Sequence, residues 1–241
     1  MQTSLPVALS AQLAMEKRLD TLADNIANSR TAGFRATEVK FESYLSSAAK
    51  EPVAFVSKGE NFISTRTGEF TQTGNALDMA VNGDAFFAVQ GPNGPIYTRD
   101  GRMTLTEAGE LLSMTGKPVL DVGGAPLQVN PAGGALEIAR DGMISQGGVQ
   151  VGGVGLFRMP EGANLSRAGN SGVVPDRAAE PVVDFAGVNV LQGFTEGSNV
   201  NPILEMTRLI EVQRAFESAA NFLETSEQSL DRAVQMLGPN S

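Results

Sequence analysis

Hydrophobic residues at the two ends of this 241-residue chain recur at alternating spacings of three and four. The C-terminal series has one polar interruption and comprises Leu209, Val212, Phe216, Ala219, Leu223, Ser226, Leu230, Ala233 and Leu237. The N-terminal series also has one interruption and comprises Leu5, Ala8, Gln12, Met15, Leu19, Leu22 and Ile26. This spacing is typical of a coiled-coil seam, and an isolated helix is marginal in water without a partner along its seam. We therefore expect the terminal helices to pack on each other or on copies of themselves.

Capping residues mark the limits of the C-terminal helix. Asn201 can cap its N-terminus with Pro202 in the first turn, and Gly238-Pro239 can end it. The first turns carry three further apolar residues, Ile203, Met206 and Ile210. They widen the stripe, so an ordinary amphipathic core helix is the alternative. The narrow seam and the length of about 54 Å, at ~1.5 Å per residue, favour coiled-coil or fibre packing.

The middle of the chain has a different pattern. Residues 68–197 hold most of the 27 Gly, and short strand-like runs at 85–90 and 156–159 stand between turn dipeptides. This pattern predicts short antiparallel strands joined by hairpins. The region 35–66 is polar and Ser-rich, and we expect an extended arm beside the helices.

Together these patterns predict an α+β fold in which long N- and C-terminal helices pair as a coiled coil around a mainly antiparallel, Gly-rich β middle domain. Residues 1–34 and 198–241 are predicted to form one helical module. Residues 35–75 would form the arm and connector, and residues 76–197 the β-rich domain.

Composition excludes much enzyme chemistry. The chain has no His, Cys or Trp, so it lacks an imidazole acid or base, a thiolate nucleophile and the two commonest zinc ligands. The net charge of -9 and pI near 4.6 argue against nucleic-acid binding, which needs a basic face. We expect no catalytic residue, no cofactor, no metal and no small-molecule substrate.

Carboxylates are the remaining source of chemistry. Arg99-Asp100-Gly101 and Arg140-Asp141-Gly142, together with Asp84 and Glu110, could be imagined as a glycoside-cleaving pair or as calcium ligands. Asp-Gly is first of all a turn dipeptide, so hairpin turns are favoured. Two Gly pairs are likewise predicted to be turns: Gly147-Gly148 and Gly152-Gly153.

The N-terminus lacks the pattern of a cleaved leader. The first basic residue, Lys17, follows the first apolar positions, and those positions are spaced helically. No apolar run approaches the ~18 residues of a transmembrane helix. We therefore expect neither a cleaved signal peptide nor a membrane span.

Two segments resemble a known family. Residues 23–35 (Ala-Asp-Asn-Ile-Ala-Asn-Ser-Arg-Thr-Ala-Gly-Phe-Arg) resemble the N-terminal signature of bacterial flagellar rod and hook proteins. Residues 196–200 (Glu-Gly-Ser-Asn-Val), continuing through 205–217, resemble the matching C-terminal signature. Residues 77–89 and 97–101 resemble core segments of the rod proteins, which extends the likeness over nearly the whole chain.

The resemblance implies a structural subunit of the flagellar basal body, located in the periplasm-spanning rod and exported by the flagellum's own type III apparatus. It implies copies of itself and other rod proteins as partners, with terminal helices lining the inner tube and β domains outside. Length and the run after Thr31 are most similar to proximal-rod members, and distal-rod members are the alternative. The chain departs from the usual signature at Asp24 and Phe216, which bears on this subtype. A secreted carbohydrate-binding or carbohydrate-cleaving β protein is a remote alternative. Such a protein does not need the heptad pattern that this chain carries at both termini.

The candidate site residues are all assembly residues: Leu19, Leu22, Asn25, Ile26, Asn28, Gly33, Phe34, Asn199, Met206, Leu209, Val212, Gln213, Arg214, Phe216, Leu223 and Leu230. The amides of Asn25 and Asn28 could bond backbone groups of a neighbouring subunit, or Asn28 could merely end the helix. Gly33 is expected to supply a left-handed turn and Phe34 an apolar anchor beyond it. Three polar residues beside the seam could bridge subunits or form a solvated face: Gln213, Arg214 and Glu217.

Overall fold

The computed structural model describes residues 4–46, 53–57 and 59–237. They form two compact units. The helical unit comprises the described residues of 1–27, 37–62 and 201–241, and the β unit comprises residues 28–36 and 63–200. The fold is α+β, as predicted, with a helix at each end and mainly antiparallel strands between.

The helical unit contains helices α1 (Ser4–Ala27) and α2 (Pro202–Leu237), which contact each other. Its strands are β1 (Thr37–Lys40), β2 (Ser43–Ser46), β3 (Val53–Val56) and β4 (Glu60–Ile63). Strand β1 pairs with β4, and β2 pairs antiparallel with β3. The region predicted to be an extended arm therefore contains two pairs of strands in its described part, and α1 contacts both β1 and β3.

The predicted cap begins α2. The side-chain oxygen of Asn201 accepts hydrogen bonds from the backbone amides of Ile203 and Leu204 at 3.1 and 3.2 Å, and Pro202 occupies the first helical position. Glu205 in the first turn adds a favourable charge at the positive end of the helix dipole. The predicted stop at Gly238-Pro239 lies outside the described residues.

The predicted seam residues are less exposed than much of the helix surface, but in α1 two of the buried residues, Ala14 and Asn25, lie off the seam. Leu22 and Val212 are buried, and the other seam residues whose burial is described are all half-buried: Ala8, Gln12, Met15, Leu19, Ile26, Leu209, Phe216, Ala219 and Leu223. The side chains of five seam positions lie outside the described part of the chain: Leu5, Ser226, Leu230, Ala233 and Leu237. None of the described helical residues forms a segment long and apolar enough to cross a membrane.

The β unit is built on a six-stranded antiparallel sheet in the order β15-β16-β8-β7-β14-β17. Its strands are β7 (Phe86–Gly91), β8 (Gly94–Thr98), β14 (Leu156–Arg158), β15 (Leu165–Ala168), β16 (Gly172–Pro175) and β17 (Glu180–Pro181). Phe87 and Val89 belong to one hydrophobic cluster, whereas Phe86 and Ala88 belong to another. Because neighbouring residues of a strand point to opposite faces, β7 has a core on both of its faces.

Smaller sheets complete the β unit. Their strands are β5 (Phe70–Gln72), β6 (Met79–Asn82), β9 (Met103–Leu105), β10 (Leu111–Ser113), β11 (Leu136–Ile138), β12 (Met143–Gln146), β13 (Val149–Gly153), β18 (Asn189–Gln192) and β19 (Phe194–Glu196). The late strands β18 and β19 pair antiparallel with the early strands β6 and β5. The last segment of the β unit therefore closes against one of its first.

The two predicted Gly turns have different outcomes. Gly147 and Gly148 have positive φ angles of 57° and 81° and form the two-residue turn between β12 and β13, as predicted. The prediction of a turn at Gly152-Gly153 is wrong, because both residues lie in β13. A Cβ on Gly153 would stand 3.0 Å from the sulfur of Met143, so the absence of a side chain leaves room for the side chain of Met143.

Candidate functional site

The two signature segments meet at the buried carboxylate of Glu196. The backbone amide of Gly33 donates to the Glu196 carbonyl at 2.8 Å. The Arg35 guanidinium lies 2.9 Å from Glu196 Oε1, and the Arg99 Nε lies 3.1 Å from Oε2. The side chains of all three charged residues are at most 3% exposed. One carboxylate therefore joins the beginning, the middle and the end of the β unit.

Burial governs the electrostatics of this cluster. It lowers the pKa of Arg35 to about 10, with Glu196 acting in the opposite direction, and it also lowers the pKa of Arg99. The negative charge of Asp84 also opposes this lowering of the pKa of both guanidinium groups, but less than Glu196 does. Arg35 consequently remains charged at neutral pH, and the carboxylate of Glu196 lies between the two guanidinium groups.

Backbone carbonyls accept further hydrogen bonds from both guanidinium groups, although the buried Nε atoms of Arg35 and Arg99 have no hydrogen-bond partner among the described residues. Arg35 donates to the carbonyl of Thr65 at 2.7 Å, while Arg99 donates to those of Gly83, at 2.8 Å, and Ala85. Charge-assisted hydrogen bonds of this kind partly replace the hydration that the two cations lose on burial. The cluster thus fixes the loops around these carbonyls as well as the signature segments.

Asn199, near the last residue of the β unit in sequence, binds the N-terminal signature. Its side-chain oxygen accepts from the Ala36 amide at 2.7 Å, and its backbone amide donates to the Phe34 carbonyl at 3.2 Å. Its side-chain amide donates to the carbonyl of Arg66 at 2.8 Å. The hydrogen bonds of Asn199 therefore lie within its own chain, where they join three segments of the β unit.

Gly33 and Phe34 adopt the predicted local structure. Gly33 has φ of 67°, which confirms the left-handed turn, and a Cβ there would stand 2.2 Å from the backbone nitrogen of Asp100. Phe34 is fully buried and forms a small hydrophobic cluster with Ala36 and Val200. The anchor predicted at Phe34 is thus a contact within the β unit.

In the helical unit, Asn25 also bonds within its own chain. Its side chain accepts from the Thr37 amide and donates to the Thr37 carbonyl, both at 2.9 Å, and donates to a carboxylate oxygen of Glu205 at 3.2 Å. Arg208 in turn pairs with Glu205 at 2.7 Å. This chain of contacts places the end of α1 beside the first turn of α2.

Asn28 immediately follows the last residue of α1. Its carbonyl accepts from the Thr31 amide at 3.0 Å, and its side-chain oxygen accepts from the Thr31 hydroxyl at 3.1 Å. These bonds form the turn after the helix, which is the simpler of the two roles expected for Asn28.

Several other candidate residues lie on the outer surface of α2. Met206, Gln213 and Arg214 are exposed, and Gln213 donates to Glu217 at 3.2 Å along the same helix. The candidate residues therefore divide into exposed ones, seam residues that are buried or half-buried, and those that join the signature segments.

The sequence did not reveal the role of Arg99 or Glu196. The prediction of a hairpin turn at Arg99-Asp100-Gly101 is wrong, because the strand before it, β8, pairs with β7 and β16, whereas the strand after it, β9, pairs with β10. Arg99 is buried against Glu196. The carboxylate of Asp100 accepts from the Arg102 amide and binds the Arg102 guanidinium at 2.8 Å. A useful signal was the apolar strand before Arg99, since a charged residue in such a context needs a buried partner.

The other carboxylates have ordinary local roles. Asp141 accepts from the Met143 amide at 3.0 Å in an Asx turn, with Gly142 in the left-handed region. Within residues 4–46, 53–57 and 59–237, no three Asp or Glu residues are grouped so as to hold a metal ion.

Comparison with known proteins shows which protein families match the segments that form this site. Residues 5–35 match the model of the flagella basal body rod protein family, residues 80–146 the FlgE/F/G hook protein D1 domain, and residues 191–236 the C-terminal region of the FlgEFG rod proteins. The chain is 51% identical over its full length to the whole flagellar basal-body rod protein FlgF of Mesorhizobium japonicum. It is 53% identical to FlgF of Rhizobium meliloti over 99% of both chains, and 29% identical to FlgG of Bacillus subtilis over 98% of this chain and 99% of that one.

Proposed function

This chain belongs to the flagellar basal-body rod protein family, most like FlgF, and on that premise we propose that it forms part of the proximal rod by polymerising through its terminal helices. It acts as a structural subunit rather than an enzyme, and its partners are copies of itself and other rod proteins. A distal-rod position is the alternative, and the lower identity to FlgG makes it the weaker one.

An exposed apolar row on α2 carries the proposal of polymerisation. Ile203, Met206 and Ile210 are 77%, 51% and 51% exposed, and their spacing places them on one helix face. Leu9 and Leu13 form a similar exposed pair on α1. These side chains remain exposed although the two helices contact each other, and apolar surface of this kind marks a site for a partner.

The candidate residues are assigned two roles in this assembly. Seam residues, for example Leu22 and Val212, pair α1 with α2 as a coiled coil and present them as one element. The exposed Met206, Gln213 and Arg214 contact neighbouring subunits. A heterologous contact repeated along a screw axis then extends the rod.

The division of the chain follows the same proposal. The predicted division is an axial module of residues 1–34 and 198–241, a connector of residues 35–75 and an outer domain of residues 76–197. We propose that the helical unit supplies the axial module that lines the inner tube and the β unit the outer domain, so that residues 28–36, 63–75 and 198–200 belong to the outer domain and residues 37–62 to the axial module. The chain reaches the rod through the flagellar type III export apparatus without loss of a leader. An intact mass that begins at residue 1 or 2 in purified basal bodies supports this route, and loss of an N-terminal peptide contradicts it.

A substitution on the outward face tests the polymerisation. Ile210→Gln should lower incorporation into basal bodies at least about tenfold, because it removes apolar surface that only a neighbour buries, while the thermal midpoint of the isolated chain stays unchanged. Glu211→Gln, at the next exposed position, is the control. Equal incorporation of both variants would contradict the proposed outward interface.

A further inference from the structure

Arg167 covers the N-terminal signature from a part of the chain that none of the three family models matches. It lies in β15, and its guanidinium carbon stands 4.3 Å from the centre of the Phe34 ring. Nη2 of the same group donates to the Arg35 carbonyl at 2.6 Å, and Nη1 donates to the Asn170 carbonyl at 3.0 Å. One side chain thus contacts both the ring and the backbone of the signature.

The segment Gly33–Ala36 depends on such contacts because its own core is small. Within the described part of the chain, the buried hydrophobic cluster of Phe34 has two other members, Ala36 and Val200. Polar groups hold the backbone on the other sides: Glu196 binds Gly33, and Asn199 binds Phe34 and Ala36. Polar contacts, rather than a large apolar core, therefore keep this segment in place.

We propose that Arg167 is a positioning residue that keeps Phe34 and Arg35 in the conformation required by the buried Glu196 cluster. The guanidinium carbon lies over the ring while two separate nitrogens of the group donate to two carbonyls, whereas a Lys side chain has one nitrogen from which all of its donors extend. The Arg35 carbonyl is the key acceptor, because holding the backbone of Arg35 also directs its side chain toward Glu196. The 147–190 region thereby fixes a segment that the family models place in the N-terminal module.

Hydrogen exchange of the intact chain tests the local role. Arg167→Met keeps an apolar stem but removes the cation and its donors, so the amides of Phe34 and Ala36 should exchange about 10 to 100 times faster. The amides of Val81 and Phe87 in the main core should keep their protection. Arg177→Met is the control, because this exposed Arg also donates to a carbonyl, that of Gly162.

Two exchange results would overturn the proposal: unchanged exchange at Phe34 and Ala36, or an equal rise at all core amides. Arg167→Lys distinguishes geometry from charge and should resemble Arg167→Met more than the native chain. Native-like exchange in the Lys variant would overturn the argument from the two guanidinium nitrogens.

The consequence for assembly rests on the proposed function. Arg167→Met should enter basal bodies less than Arg177→Met at matched expression, and equal incorporation would overturn a role in assembly. Absence of the native chain from basal bodies would refute the proposed function instead, and the exchange result would be unaffected.

Discussion

At the scale of single residues, the stability of the β unit depends on the balance of buried charge around Glu196. Glu196 is the fully buried carboxylate between Arg35 and Arg99, and it also accepts a hydrogen bond from the backbone amide of Gly68 at 2.9 Å. A buried ion pair adds little net stability compared with an apolar replacement, but removing one partner leaves an uncompensated charge. The main effect of the cluster on stability is therefore the cost of an uncompensated buried charge when one partner is removed.

Replacing Glu196 by Gln tests this asymmetry. The amide keeps the shape but leaves two buried guanidinium groups without their anion, so the free energy of unfolding should fall by about 3 to 5 kcal/mol. Glu161→Gln, on the surface of the β unit, should change it by less than about 0.5 kcal/mol. Denaturant unfolding of the isolated chain measures both, and equal midpoints would refute the role of Glu196.

At the scale of elements, local sequence signals predicted where helices begin, whereas the pairing of strands and the partners of distant residues could not be predicted. The start of α2 could be predicted because Asn201 and Pro202 act within one turn. The spacing of apolar residues predicted the two terminal helices and their contact, but it did not predict that Ala14 and Asn25 are buried in α1. The pairing of β2 with β3 depends on contacts that no local pattern specifies. Glu196 was missed for the same reason, since its partner Arg35 is far away in sequence.

The cap of α2 gives a prediction at this scale. Asn201→Ala removes the acceptor of two helix amides and should lower the stability of the helical unit by about 1 kcal/mol. Asn221→Ala, at an exposed position inside the same helix, should be neutral or slightly stabilising because Ala has the higher helix propensity. Thermal unfolding followed by helical circular dichroism compares the two. An equal effect of both would contradict the capping role.

The seam gives another prediction for α2. Leu223→Asp places a carboxylate at a half-buried position with no basic residue one turn away, and should lower the stability of the helical unit by at least about 2 kcal/mol. Glu224→Ala changes the next, exposed position, where Glu224 accepts from Gln228 at 3.3 Å, and should cost less than about 1 kcal/mol. The same thermal measurement applies. If Leu223→Asp is as stable as Glu224→Ala, the register of the seam is wrong.

At the scale of the whole molecule, each unit is assembled from segments that are distant in sequence. The β unit has its own hydrophobic clusters and closes when β18 and β19 pair with β6 and β5. Its buried ion cluster is complete once residue 196 is present, and Asn199 adds the last bonds to the signature. The chain thus contains everything that the β unit needs before α2 begins.

Deletion of residues 202–241 should therefore separate folding from assembly. The β unit should keep its cooperative unfolding transition and the amide protection of Val81 and Phe87, because its clusters and its ion pairs lie within residues 28–36 and 63–200. Incorporation into basal bodies should be lost, since the truncated chain lacks the outward apolar row of α2. Cells that produce only this chain should not swim. Normal motility would show that α2 is dispensable for the rod, whereas loss of the cooperative transition would show that the β unit depends on the helix.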